Sequence, residues 1–190
     1  MTAESLTDKQ GRLLLAIARD AIAQALGVAH TAPNVEADWL AEPGACFVTL
    51  TQQGELRGCI GSLQAHRSLL ADVRHNALAA ALQDPRFAPL GAAELARTRI
   101  EVSLLSASQP MQFTDEADAL AQLRPGVDGV VFEFGYHRST FLPQVWEQLP
   151  QPRQFMAQLK RKAGLPADFW SDQVTLSRYT VSKWQEQDHG

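Results

Sequence analysis

The hexapeptide LRGCIG, Leu56 to Gly61, sets a thiol, Cys59, two residues after a guanidinium, Arg57, with Gly58 between them and Gly61 close behind. On an unbroken strand, positions two apart share a face, with alpha carbons about 6.5–7 Å apart. A guanidinium at that range stabilises a thiolate, the form that attacks carbon or ligates metal. Glycines leave backbone uncovered, which suits close approach of a ligand. The same residues have a plainer reading: Cys59 as a small apolar filler, and the glycines as a bulge or tight packing against a helix.

Arg57 has a planar fork suited to carboxylate or phosphate, and pairing with a protein acid such as Glu101 accounts for it equally well. Glu101 is the only acid within IEVSLLS. Desolvated, it is a general acid or base; otherwise it belongs to a solvated sheet face or partners an arginine. The DPRF phrase, Asp84 to Phe87, is first a stop-and-turn device, with Asp84 and Arg86 as candidate contacts. His30, His66, His75, His137 and His189 show no metal-binding spacing, so no metal and no cofactor are expected. His137 and Arg138 read as an exposed hairpin tip. Arg153, Lys160, Arg161 and Lys162 form the one local basic cluster, suited to RNA or to the C-terminal dipole of a helix.

The elements that must hold these residues follow from pattern. The chain has 190 residues, 45% hydrophobic and 20% charged, enough apolar material for one real core and too little length for two ordinary domains. Net charge is −4, which gives no general attraction to nucleic acid or anionic membrane. The polar start MTAESLTDKQ lacks the features of a signal peptide, and Cys46 and Cys59 are too few for a disulfide framework. A cytoplasmic protein with reduced thiols and no membrane contact is expected.

Thr7 and Gln10 fit a capping box, and Leu13, Leu14, Ile17, Ala21 and Ile22 predict a helix from about Asp8 to Leu26, stopped at Gly27. Residues 45–61 predict a hairpin turning at Gln53–Gly54, which sets Val48 opposite Cys59 and puts Cys46 on the same face. Ser68 caps a second helix that ends near Asp84, before Pro85. IEVSLLS alternates as a strand, and Thr114, Asp115 and Glu116 open a third helix. DGVVFEFG and STFL form a second hairpin, QPRQFMAQLKRKAG a helix, and VTLSRYTVSKW a last strand. Strands in hairpins, with helices in no regular βαβ rhythm, predict an α+β class: a mainly antiparallel sheet with flanking helices.

FVTLTQQGELRGCIGSL, followed in order by AALQDPRF, IEVSLLS, GVDGVVFEFG, FLPQVW and KRKAGLPADFW, resembles the AMMECR domain family. That family is named from a chromosomal region linked to Alport syndrome with midface hypoplasia and elliptocytosis. Its bacterial members are called AmmeMemoRadiSam system protein A. The resemblance implies a two-lobed single domain, here residues 8–184 with a tail at 185–190, whose signature residues gather at a cleft. It implies association with a Memo-like protein and a radical SAM protein, and it supplies no settled reaction. Ser62 stands where members often carry threonine and keeps the hydroxyl.

Three functions are weighed on these residues. The first is a cleft protein that binds a small or peptide-borne anionic group in a modification pathway. There Cys59 is nucleophile or thiol ligand, Glu101 is acid or base, and Arg57, Gly58, Gly61, Ser62 and Arg86 are ligand contacts. The second is a non-catalytic adaptor docking a partner segment, which leaves enzyme status open. The third is an RNA binder through the basic cluster, which net charge disfavours.

Overall fold

The computed structural model describes residues 8–187, so Thr7 of the expected capping box and His189 lie outside the described residues. The chain is α+β. It divides into two compact units, the first formed by residues up to Leu105 and from Ser182 onward, the second by Ser106–Val181.

In the first unit, helix α1 (Asp8–Ala25) buries Leu14, Ile17, Ala18 and Ile22 along one stripe and stops at Gly27, whose φ of +66° an L side chain resists. Strands β1 (Pro43–Gln52) and β2 (Glu55–Gly61) form the expected hairpin. Its turn residues, Gln53 and Gly54, both have positive φ, the twist that a two-residue hairpin loop needs. A two-residue β3 (Arg67–Ser68) pairs with the start of β1 and leads into α2 (Leu69–Leu82), where Ser68 Oγ accepts the Ala71 N–H. A four-residue α3 (Ala92–Leu95), not anticipated from the sequence, precedes β4 (Arg99–Leu105). The strand order is β2-β1-β4-β9, with β9 at Val181–Gln185. Cys46, Val48, Leu50, Ile100 and Val102 are fully buried on one sheet face, in one core with α1 and α2.

The hairpin register differs from the expected one. Gln52 faces Glu55 and Thr51 faces Leu56, but then the ladder shifts, and Leu50 faces Gly58, Thr49 faces Cys59 and Phe47 faces Gly61. Arg57 is the extra residue of a bulge, and one inserted residue moves everything beyond it to the other face. Cys59 therefore lies opposite Thr49 rather than Val48. Cys46 points into the core, so the two thiols occupy opposite faces.

In the second unit, β5 (Gln109–Pro110), β8 (Thr175–Tyr179), β6 (Gly129–Phe134) and β7 (His137–Phe141) form an antiparallel sheet in that order. Helices α4 (Glu116–Gln122) and α5 (Pro152–Lys162) complete the unit, and its core centres on Phe132, Phe155, Met156 and Leu159. Three expectations change here. The single last strand is two, β8 and β9, one in each sheet. Tyr136 takes the hairpin tip at 91% exposure, while His137 begins β7 with its Nδ1 2.8 Å from the Ala163 carbonyl oxygen. Lys160 is buried, paired with Glu116 and stacked against Trp170, and Lys162 donates to the Thr140 carbonyl at 2.8 Å. The basic cluster is thus divided between interior and surface.

Candidate functional site

On the sheet face opposite the α1–α2 core, the register aligns residues in rows across three strands. Cys59 on β2 faces Thr49 on β1, and Thr49 faces Glu101 on β4. The next row is Gly61, Phe47 and Ser103. Two strand spacings separate Cys59 from Glu101, about 9.5 Å between alpha carbons. Thr49 Oγ1 donates to Cys59 Sγ at 3.2 Å, and Ser103 Oγ donates to Glu101 Oε1 at a long 3.5 Å. Sequence alternation identified Cys59 and Glu101 separately; the bulge is what sets them in one row, with Thr49 between.

Strand β2 lies at the edge of its sheet, so Cys59 presents its amide and carbonyl away from β1. Side chains of the DPRF phrase meet both groups. Asp84 Oδ2 accepts the Cys59 N–H at 2.9 Å, and Arg86 Nη2 donates to the Cys59 carbonyl at 3.2 Å. Arg86 is in turn forked onto Asp84, with Nε at 3.0 Å from Oδ1 and Nη2 at 2.7 Å from Oδ2. Asp84 is 4% exposed. The Arg86 guanidinium foremost, with the Cys59 and Arg86 amides, holds its carboxyl well below the usual carboxylate range, against the opposite pull of burial. The pair acts as a one-residue substitute for a neighbouring strand.

Arg57 runs elsewhere. Its Nε and Nη2 each lie 3.2 Å from an oxygen of Glu94 on α3, so its acid partner is Glu94 and not Glu101. Gln52, whose β1 parity is that of core-facing Leu50, donates to the same carboxylate. The bulge thus ends the alternation by which Arg57 and Cys59 were expected to share a face. Hydrogen bonds from Arg57 first, then Gly91 and Gln52, lower the Glu94 carboxyl to about 2.

The glycines sit where neighbours come closest. A Cβ on Gly58 would stand 2.2 Å from the Ala80 carbonyl oxygen of α2, and one on Gly61 would stand 2.2 Å from the Phe47 ring. Ser62 Oγ donates to Asp72 Oδ1 at 2.7 Å, and Asp72 Oδ2 accepts the Cys46 N–H at 2.9 Å. Asn76 Nδ2 reaches the Cys46 carbonyl at 2.9 Å, Ser62 Oγ and Asp72. Asp72 and Asn76 are each 1% exposed, and they satisfy backbone groups of β1 where its pairing with β2 ends. Sequence reading missed both, although two polar residues four apart on the apolar stripe of Leu69, Val73, Ala77 and Ala80 are a usable signal. Burial foremost, and the Asp72 charge next, push the Cys46 thiol well above its ordinary range, which disfavours its thiolate.

The available chemistry is therefore that of one half-buried thiol, a hydroxyl bonded to it, a carboxylate two strands away and a half-exposed guanidinium at the strand edge. Among the described residues no group of three His, Cys, Asp or Glu side chains is placed to hold a metal ion. No described helix is long and apolar enough to cross a membrane. Two surface concavities, of about 570 Å³ beside Glu116 and Trp170 and about 840 Å³ between α1 and β9, are lined by none of Cys59, Thr49 or Glu101.

A family profile described as AMMECR1 matches residues 15–184. A protein of Methanothermobacter thermautotrophicus is 36% identical over 189 residues, covering 95% of this chain and 96% of its own. A Thermotoga maritima protein is 37% identical over 141 residues, covering 73% of this chain and 76% of its own. The crystal structure of uncharacterized protein PH0010 from Pyrococcus horikoshii superposes with a TM-score of 0.76 at 29% identity, covering 96% of this chain and 94% of that one.

Proposed function

Because this chain belongs to the AMMECR1 family, we propose that its signature residues form a binding and reaction site on the face of β2, β1 and β4 turned away from the α1–α2 core. The site takes a small or peptide-borne anionic group, in a cytosolic modification pathway shared with a Memo-like protein and a radical SAM protein. The alignment of Cys59, Thr49 and Glu101 in one row carries this reading. Cys59 is the nucleophile or thiol ligand, with Thr49 orienting its sulfur. Glu101 is the acid or base on the far side of Thr49. Gly58, Gly61 and Ser62 fix the strand through its packing, and Arg57 braces the bulge through Glu94. Membership of the bacterial AmmeMemoRadiSam protein A group rests on the sequence resemblance, and the two partners come with it.

The test is capture of metabolites and proteins from the native host, with wild type against Cys59→Ser. A ligand lost with the thiol, from a variant that still folds, supports the reading; the same ligand held equally by both proteins overturns it. A second reading, a non-catalytic adaptor, draws on Leu56 and Leu63, which are 43% and 46% exposed at either end of the signature. Protein partners retained by Cys59→Ser, with no small ligand found, favour the adaptor. Burial of Lys160 counts against RNA binding through α5.

A further inference from the structure

We infer that Arg86, and not Arg57, is the residue that selects negatively charged substrates for Cys59. The inference rests on the reading of Cys59 as the reacting group. Both arginines belong to the signature phrases, but their surroundings differ. The Arg57 side chain is only 15% exposed, and both of its bonded nitrogens are turned into Glu94. The Arg86 side chain is 54% exposed and donates to the carbonyl of Cys59 itself. Its Nη1 makes no hydrogen bond among the described residues, while Nη2 sits on the Cys59 carbonyl, which places the guanidinium beside the residue that carries the thiol. Asp84, the counter-charge, is 2% exposed in its side chain. The pair thus presents its positive end outward and its negative end inward, beside the one accessible thiol.

Asp84 also keeps this cation in place. Three of its hydrogen bonds come from Arg86 and a fourth from the Cys59 amide, so the guanidinium is fixed relative to the residue it serves. A fixed charge next to a thiol discriminates between approaching groups by their sign, before any specific contact forms.

Alkylation with a charged and a neutral reagent reads this directly. The full-length protein is treated at low salt with iodoacetate and with iodoacetamide, and the rate at Cys59 is followed by mass mapping. The ratio of the two rates is divided by the same ratio for N-acetylcysteine amide. An uncompensated unit charge about 6 Å away in water-like dielectric would give a normalised ratio of about three, and the Asp84 carboxylate offsets part of it, so a ratio above one and no greater than about three is expected. That ratio should fall toward one as salt approaches about 1 M. Arg86→Lys keeps it. Arg86→Gln brings it to one or below, since the Asp84 carboxylate is then uncovered. A purely structural role for Arg86 changes both rates together and leaves the ratio alone, so an unaltered ratio in Arg86→Gln overturns the inference. If that variant does not fold, a wild-type ratio of one at low salt overturns it equally. A ratio that behaves as described, in a protein whose Cys59→Ser form still captures the same host ligand, upholds charge selection by Arg86 while refuting the function on which it rests. The two failures are thereby told apart.

Discussion

Gly58→Ala tests whether the glycine of the signature serves packing. A methyl group there would stand 2.2 Å from the Ala80 carbonyl oxygen, whereas ordinary van der Waals contact begins at 3.4 Å, so β2 or α2 must retreat by about 1.2 Å. Neither can do so by a rotamer change, because the obstacle is backbone. Strand β2 is held by the β1 ladder on one side and by Asp84 and Arg86 on the other. Helix α2 meets the sheet through Val73, Ala77 and Ala80, all at most 1% exposed and too short to fill a widened gap. A radial gap of 0.5–1 Å already forfeits roughly a quarter to a half of the dispersion energy of the facing atoms. Overpacking generally costs about 1–3 kcal/mol, and an unyielding neighbour places this case at about 3. For a chain of this size that lowers Tm by about 6–12 °C. Gly61→Ala is the control: the Phe47 ring is equally close but can turn aside, for a cost of about 1 kcal/mol. Calorimetric melts of both variants check the claim. A Gly58→Ala shift under about 2 °C, or one no larger than that of Gly61→Ala, refutes the packing argument.

Acid should weaken the first unit in a defined window. The folded carboxyls of Asp84 and Glu94 lie below their unfolded values, so their contribution is complete above about pH 5 and is lost as pH falls from about 4 toward 2. Melts across that range should show Tm flat near neutrality and falling below about pH 4, with part of the fall removed in Arg57→Gln; a Tm level down to about pH 2.5 contradicts it. Asp72→Ala strips acceptors from the Cys46 amide, Ser62 and Asn76 in a buried network and should cost about 3 kcal/mol, read by urea denaturation. Single-stranded RNA should bind no tighter than about micromolar at physiological salt. Nanomolar filter binding, abolished by Arg153→Ala with Arg161→Ala, would restore the RNA reading.

Long periodic segments were legible from the sequence. The apolar stripe of α1, the Ser68 cap of α2 and the basic last turn of α5 announce themselves because burial periodicity and cap chemistry are local properties. The bulge at Arg57 was not legible. Nothing in ELRG distinguishes an inserted residue from an alternating one, yet that single residue decides which face every later side chain takes. VTLSRYTVSKW reads as one strand-forming run, and its division between two sheets depends on distant partners: Ser106 exchanges hydrogen bonds with Thr180 at the break. Helix α3 is too short for any periodic signal, so Glu94, the partner of Arg57, was missed with it. The DPRF phrase reads as a turn because proline dominates it. That its two charged side chains serve the backbone of Cys59, 25 and 27 positions earlier, is a tertiary fact.

The interruption of the first unit by the second has a consequence for how the protein is made. Residues 106–181 form one continuous stretch, so the second unit can fold as soon as it has been synthesised. The first unit cannot, because β9 is translated only afterwards. Until β9 arrives, the Ile100 carbonyl lacks the Glu186 amide, Arg19 lacks the Glu186 carboxylate and β4 stands as an open edge of a largely built sheet. Such an edge is a template for pairing with other nascent chains. The later-encoded unit therefore finishes first, and the strand that follows it closes the earlier one, so the interval of greatest aggregation risk during translation falls between the synthesis of β4 and that of β9.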